Sequence, residues 1–257
     1  MSANVQDTIV LFGDSITQGG WQPNGFAQRL AYVYARKLDV INRGLSGYNS
    51  EWAIPVFKQI IAKKSEQANV PGIALFTIWF GANDACILPS RQHVPLPRFS
   101  ANIAYFITAL KDPESEYYSE NTHIILITPP PINTYQRGAD LQSRNPPVAL
   151  DREFEVTKQY AEAVKEVGKR HGVPVVDIWT VFYDAVGRDE KKLAKFMDDG
   201  LHLNAEGYEV MYDSLIQTIT KEFPEIHYEK LPSVFAPWAE IDLKDIENSV
   251  QANRFKI

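Results

Sequence analysis

A run of β-prone residues, Thr8-Ile9-Val10-Leu11-Phe12, feeds directly into Gly13-Asp14-Ser15-Ile16-Thr17-Gln18. Far downstream stands Asp199-Gly200-Leu201-His202-Leu203-Asn204, an acid and an imidazole three positions apart. A serine hydroxyl is almost wholly protonated at neutral pH and attacks only when a base takes its proton. The base in turn needs a group that fixes its tautomer and orientation. Ser15 supplies a nucleophile, His202 a base and Asp199 an orienting carboxylate. Asp198 is the alternative orienter, one residue earlier. The other histidines, at 93, 123, 171 and 227, have no comparable acid-and-turn setting.

Attack on a carbonyl creates an oxyanion, which needs donors aimed at it. Three are on offer: the Ser15 backbone N–H, the Gly44 N–H in Asn42-Arg43-Gly44-Leu45-Ser46-Gly47, and the side-chain amide of Asn83 in Gly81-Ala82-Asn83-Asp84. With no side chain, Gly44 can bring its N–H close to a bound group. Each motif taken singly also reads as an ordinary strand-end turn. Together they describe a nucleophilic acyl-transfer site.

The elements between these motifs say how they would be positioned. Apolar β-rich runs recur at Thr8 to Phe12, Asp39 to Ile41, Ile73 to Phe80, His123 to Thr128 and Val173 to Ile178. Amphipathic segments separate them. Phe26, Leu30, Val33 and Tyr34 follow helical spacing within Gly25 to Leu38; Leu150 to His171 forms a second helix that stops at Gly172. Asn204 caps a third, whose Tyr208, Met211, Tyr212, Leu215 and Ile219 share a face. Strands alternating with helices predict a parallel sheet covered on both faces, with the site at the carboxyl ends of the strands. Ser15, Gly44 and Asn83 each follow one of the first three strands. The stretch 129–147 holds five prolines and reads as a long irregular loop.

Gly13-Asp14-Ser15, Gly44, the Gly-x-Asn ending at Asn83 and Asp199-x-x-His202 occur in the order of the four sequence blocks of the SGNH hydrolases, also called the GDSL esterase/lipase family, which the chain resembles over roughly residues 8 to 220. The likeness is closer to the isoamyl acetate-hydrolysing esterases, through Gly81-Ala82-Asn83-Asp84-Ala85, His93-Val94-Pro95-Leu96 and Asp199-Gly200-Leu201-His202-Leu203. The resemblance implies a three-layer α/β/α sandwich of flavodoxin-like type with a central parallel sheet. It implies a Ser15–His202–Asp199 triad, an oxyanion hole from Ser15, Gly44 and Asn83, and no cofactor or metal. The expected substrate is a small ester, short-chain acetates above all, with Ile16, Trp21 and the 129–147 stretch beside its alcohol half. A carbohydrate or phospholipid deacylase on the same machinery is an alternative, as is a flavodoxin-like binding module with a vestigial triad.

Bulk properties narrow the field. Of 257 residues, 45% are hydrophobic and 23% charged, an ordinary globular balance that excludes compositional disorder. A net charge of −6 gives no positive field to attract nucleic acid or an anionic membrane. The single cysteine, Cys86, excludes an intrachain disulfide. Val70 to Phe80, the most apolar stretch, falls short of the roughly 18 residues of a membrane span. Met1 to Asp7 has neither a basic nor an apolar leader region, so a cytoplasmic protein is expected. No phosphate-loop, His-Glu-x-x-His or Cys-x-x-Cys motif occurs, and Gly44-Leu45-Ser46-Gly47-Tyr48 misses a Gly-x-Ser-x-Gly elbow at its last position. No linker or repeat is visible, so residues 1–257 read as one hydrolase domain. Residues 223–257 form an extension that packs on its own body or docks on a second copy in a homodimer. Phe223, Tyr228, Leu231, Phe235, Trp238 and Ile241 are too much apolar surface to leave in water.

Overall fold

The computed structural model describes residues 5–253, so part of the leader reading (1–4) and the last four residues of the tail lie outside the described residues. Five strands form one parallel sheet in the order β2-β1-β3-β4-β5: β1 (Thr8–Gly13), β2 (Asp39–Gly44), β3 (Ile73–Trp79), β4 (His123–Ile127) and β5 (Val175–Val176). Along β1, alternate side chains point to opposite faces. Ile9 and Leu11 enter one core with Phe26 and Leu30 of α2 (Phe26–Val33), Phe182 of α7 (Ile178–Ala185) and Met211 and Leu215 of α8 (Ala205–Glu222). Val10 and Phe12 enter the other with Phe57 of α3 (Ser50–Ile60), Phe106 of α4 (Leu96–Lys111) and Val164 of α6 (Phe154–His171). Every residue of β1 is buried, as a strand covered on both faces must be. The predicted three-layer α/β/α arrangement is therefore the one observed.

Strand register sets the site. Gly13 lies opposite Gly44 on β2 and opposite Trp79 on β3, so three strands end at one level. The chain leaves β1 toward β2 and returns past β1 to β3. The crevice at that reversal lies beyond the carboxyl ends of β1 and β3, where ligands of open α/β sheets bind.

Two expectations need correction. The stretch 129–147 is not an irregular loop; it contains helix α5 (Thr134–Gln142). Its prolines sit at the two ends, and between them the Asn133 side chain accepts from the Gln136 N–H and starts a helix. The strand expected over Val173 to Ile178 shrinks to two residues, because Asp177 accepts from the Thr180 N–H and caps α7 at once.

The tail divides in two. Ile226, Leu231 and Val234 are buried, and the Tyr34 hydroxyl donates to the Ile226 carbonyl at 3.0 Å. Beyond them Trp238 and Leu243 are 87% and 84% exposed. Full burial of a large apolar side chain is worth about 1.5–3 kcal/mol. Truncation after residue 222 is therefore expected to lower the melting temperature by several degrees or more, while turnover per folded molecule is kept. Thermal melts combined with active-site titration check this; a truncated protein with the parent melting temperature but no activity would assign the tail a direct part in the site.

Candidate active site

Ser15 is the first residue of a short helix, α1 (Ser15–Gly19), that begins as soon as β1 ends. Asp14 forces this change: its side chain accepts the Ile16 N–H at 2.9 Å and caps the first turn. As the first helical residue, Ser15 has a backbone N–H without an intrahelical partner. The same helical turn carries Ile16 into the core, where it is 1% exposed. Ile16 therefore does not line the site, contrary to its expected place beside the substrate.

His202 and Asp199 sit on a tight loop ahead of α8. Gly200 adopts φ +83° there, and a Cβ at that position would meet the Arg137 nitrogen at 2.5 Å. A glycine is thus required for the loop to press against α5. Asp199 Oδ1 accepts the Leu201 and His202 N–H groups at 3.0 and 2.8 Å, while Oδ2 faces the His202 Nδ1 at 2.9 Å. The ring bonds Asp199 and not Asp198, whose backbone N–H donates to the His202 carbonyl. With Nδ1 donating to the carboxylate, Nε2 is left as an acceptor, and it lies 3.0 Å from Ser15 Oγ. Burial alone would raise Asp199, but hydrogen bonds from the His202 ring and from the His202 and Leu201 N–H groups outweigh it. The carboxyl is held well below its usual range, so it is ionised at neutral pH.

The three expected oxyanion donors fare differently. Gly44 packs so tightly on α1 that a Cβ would stand 2.0 Å from the Gln18 nitrogen, and its N–H donates to Asn42 Oδ1 at 2.8 Å. That donor is spent, which corrects the expected role of Gly44. Gly47, three residues on at φ +79°, makes no such contact through its N–H. Its loop spans the gap between α1 and β3: the Ser46 N–H donates to Gln18 Oε1 at 3.0 Å, and the Tyr48 carbonyl accepts from Asn83 Nδ2 at 2.8 Å. Asn83 is buried in the turn after β3, and its Oδ1 accepts from Arg152 at 2.8 Å. One of its two amide hydrogens remains uncommitted.

A cavity of about 590 Å³ opens on Ser15 and His202, lined also by Gln18, Gly19, Trp21, Gln22 and Ser46. Trp21 is 47% exposed; the 129–147 stretch contributes nothing to the lining. A second cavity of about 520 Å³, between Asn24, Arg29, Tyr32 and Tyr212, contains no hydroxyl–imidazole pair. No group of three or more His, Cys, Asp or Glu side chains is placed to hold a metal ion among the described residues. No helix among them is long and apolar enough to cross a membrane.

Below the site lies a buried carboxyl. Burial pushes Asp14 up to about 7, the Ile16 N–H offsetting part of this and the neighbouring Asp84 adding to it. A raised value means that the fold favours the protonated form. The stabilisation is complete below the ordinary carboxylate value and is lost as pH rises through about 7. Asp14→Asn is thus expected to gain in melting temperature relative to the parent protein as pH rises from 5 to 7, the gain levelling off by pH 9. A constant difference across that range would mean that the carboxyl does not titrate there.

Sequence inspection missed Arg137, Asp151 and Arg152, which surround Asp199 and Asn83. Arginines are rarely as buried as Arg137 and Arg152, and no local pattern flags any of the three.

The family model for GDSL-like lipase/acylhydrolases matches residues 11–210. The isoamyl acetate-hydrolyzing esterase 1 homolog of Mus musculus is 32% identical over 245 residues, 94% of this chain and 90% of that protein. The isoamyl acetate-hydrolyzing esterase of Saccharomyces cerevisiae is 28% identical over 244 residues, 91% of this chain and 95% of that protein. Among solved structures, a lipase/acylhydrolase from Enterococcus faecalis superposes with a TM-score of 0.62 at 24% identity, covering 90% of this chain and 100% of that one.

Proposed function

From the membership of this chain in the GDSL-like lipase/acylhydrolase family, which makes it a carboxylic ester hydrolase, we propose a serine esterase of short-chain acyl esters. Acetate esters such as isoamyl acetate are the favoured substrates, as the names of the mouse and yeast relatives suggest. The observation that carries the reading is the continuous hydrogen-bonded line from Ser15 Oγ through the His202 ring to Asp199 Oδ2.

In the proposed reaction His202 Nε2 takes the Ser15 proton as Oγ bonds to the ester carbonyl carbon. The oxyanion is met by the Ser15 N–H, the Gly47 N–H and the free amide hydrogen of Asn83; Gly47 takes the place first given to Gly44. The imidazolium then protonates the leaving alcohol, the C–O bond breaks, and an acyl-Ser15 ester remains. Water, losing its proton to the same histidine, bonds to the acyl carbon; the bond to Ser15 Oγ then breaks as the imidazolium returns that proton to Oγ, and the free acid leaves. Asp199 stabilises the imidazolium throughout and is not itself protonated. We read the chain as one hydrolase unit, because both cores are built on the two faces of one sheet.

A second reading of the alcohol half rests on the cavity lining. Gln18, Gln22 and Ser46 beside the exposed Trp21 suit a hydroxylated leaving group, such as a sugar, as well as an isoamyl chain. Rates for acyl chains from acetate to octanoate, each on isoamyl alcohol and on a sugar, separate the two. A maximum at octanoate would refute the short-chain assignment.

Because only neutral imidazole accepts the Ser15 proton, kcat/KM for 4-nitrophenyl acetate is expected to rise with pH through one ionisation. Asp14, which faces His202, is pushed by burial up to about 7, so the profile is run in parallel on Asp14→Asn. A profile flat from pH 5 to 9 would remove His202 as base.

A further inference from the structure

Asp199 Oδ2 carries a second partner besides the histidine: Arg137 Nη1 donates to it at 2.9 Å. Arg137 lies on α5 and is only 5% exposed. Its Nε and Nη2 reach the two oxygens of Asp151 at 3.3 and 3.0 Å. The Asp151 Oδ2 also accepts from Arg152 Nη1 at 2.5 Å. Arg152, 2% exposed, spends Nε on the Ala82 carbonyl at 2.6 Å and Nη2 on Asn83 Oδ1 at 2.8 Å. An unbroken file, Asp199–Arg137–Asp151–Arg152–Asn83, therefore runs from the acid of the triad to the side-chain donor of the oxyanion hole. Its members come from four separate segments of the chain.

Buried ion pairs add little net stability, since desolvation offsets their attraction. What this file does fix is orientation. A guanidinium has donors only, so Arg152 can meet nothing but the oxygen of the Asn83 amide. That contact sets which way the amide faces and leaves its nitrogen for the site. The planar fork of Arg137 holds Asp199 and Asp151 together, which a lysine, a point charge, cannot do. Arg137 also draws charge from the oxygen that the His202 ring uses.

We propose that Arg137, Asp151 and Arg152 form one positioning unit that serves both halves of the site: Arg137 sets the orientation and basicity of Asp199, Arg152 sets the Asn83 amide, and Asp151 couples them. This rests on the roles given above to Ser15, His202, Asp199 and Asn83.

The test uses the full-length chain as Arg137→Lys, Arg152→Lys and Asp151→Asn, each checked by thermal melt. It measures kcat, KM, the pH profile of kcat/KM and inhibition by a boronic acid, whose tetrahedral adduct mimics the intermediate. The charged groups facing His202 are Asp199 from its own loop, Asp14 from the turn after β1 and, through Asp199, Arg137 from α5. The profiles are therefore repeated with Asp14→Asn. Arg137→Lys is expected to lower kcat roughly tenfold with KM nearly constant. It also moves the acid limb up by about half a pH unit, because a carboxylate freed of its fork favours imidazolium more strongly. Arg152→Lys is expected to leave the limb in place and to weaken boronate binding roughly tenfold, in step with kcat. Asp151→Asn, isosteric and able to stand in should a lysine variant not fold, shows both effects. Folded variants with kcat within twofold of the parent and an unmoved acid limb would overturn the proposal. Ser15→Ala separates the two levels: if it stays active, the underlying triad is wrong; if it is dead while the three variants match the parent, the positioning unit alone is wrong.

Discussion

Ser15→Ala and His202→Ala are each expected to reduce turnover by roughly 10⁴-fold or more, with far-UV spectra and melting temperature little changed. The two residues act as a unit, so the double variant should lose little beyond either single one. The reason is visible in the 3.0 Å contact between Ser15 Oγ and His202 Nε2: without the ring the hydroxyl keeps its proton, and without the hydroxyl the ring has no proton to take. Neither side chain is a core residue, so folding does not depend on them. Active-site titration with an organophosphonate measures the nucleophile directly, and only the parent should be labelled. If Ser15→Ala retained more than a few per cent of the parent rate after contamination was excluded, the nucleophile would lie elsewhere.

Replacing Asn83 should cost roughly 10²–10³-fold in kcat with a much smaller change in KM, because an oxyanion donor acts on charge that develops only in the transition state. Alanine alone would be ambiguous here. It also strips a partner from the buried Arg152 and from the Tyr48 carbonyl. Asn83→Asp restores the first of these: an oxygen still accepts from Arg152, but the amide hydrogens are gone and a negative charge stands beside the developing oxyanion. It should therefore lose at least as much kcat as alanine. A loss confined to KM in either would make Asn83 a contact to ground-state substrate.

How legible all this was depended on whether the signal was local. Ser15 and the Asp199–His202 pair each lie within a few residues of a strand end or turn that announces them, and the structure brings them into contact. Gly44 shows the limit of reading residue type alone. A glycine after β2 was visible, but the Asn42 side chain that occupies its N–H is a matter of rotamer and not of composition. Ile16 misled through adjacency, since one residue along a helix turns the side chain by about 100°. Counting prolines in 129–147 obscured a helix, because what matters is their spacing; a proline-free interval behind Asn133 was long enough for two turns. Arg137 and Arg152 could not be found in this way. They lie 62 and 69 positions from Asp199 and Asn83, the side chains they hold, and nothing but the fold brings them together.

The sheet's two margins bear on how copies of this molecule meet. An edge strand exposes unpaired N–H and C=O groups, a template on which another chain can extend the sheet. On one margin β5 is two residues long, too short to template anything. On the other, β2 carries exposed Asp39 and Arg43. Asn42 turns its own side chain back onto the strand's Gly44 N–H. Concentrated solutions should accordingly resist fibril growth seeded at either margin. Any pairing of two copies would have to use side-chain surfaces, such as the stretch bearing Trp238, Leu243 and Ile246, and would dissociate without disturbing a single strand.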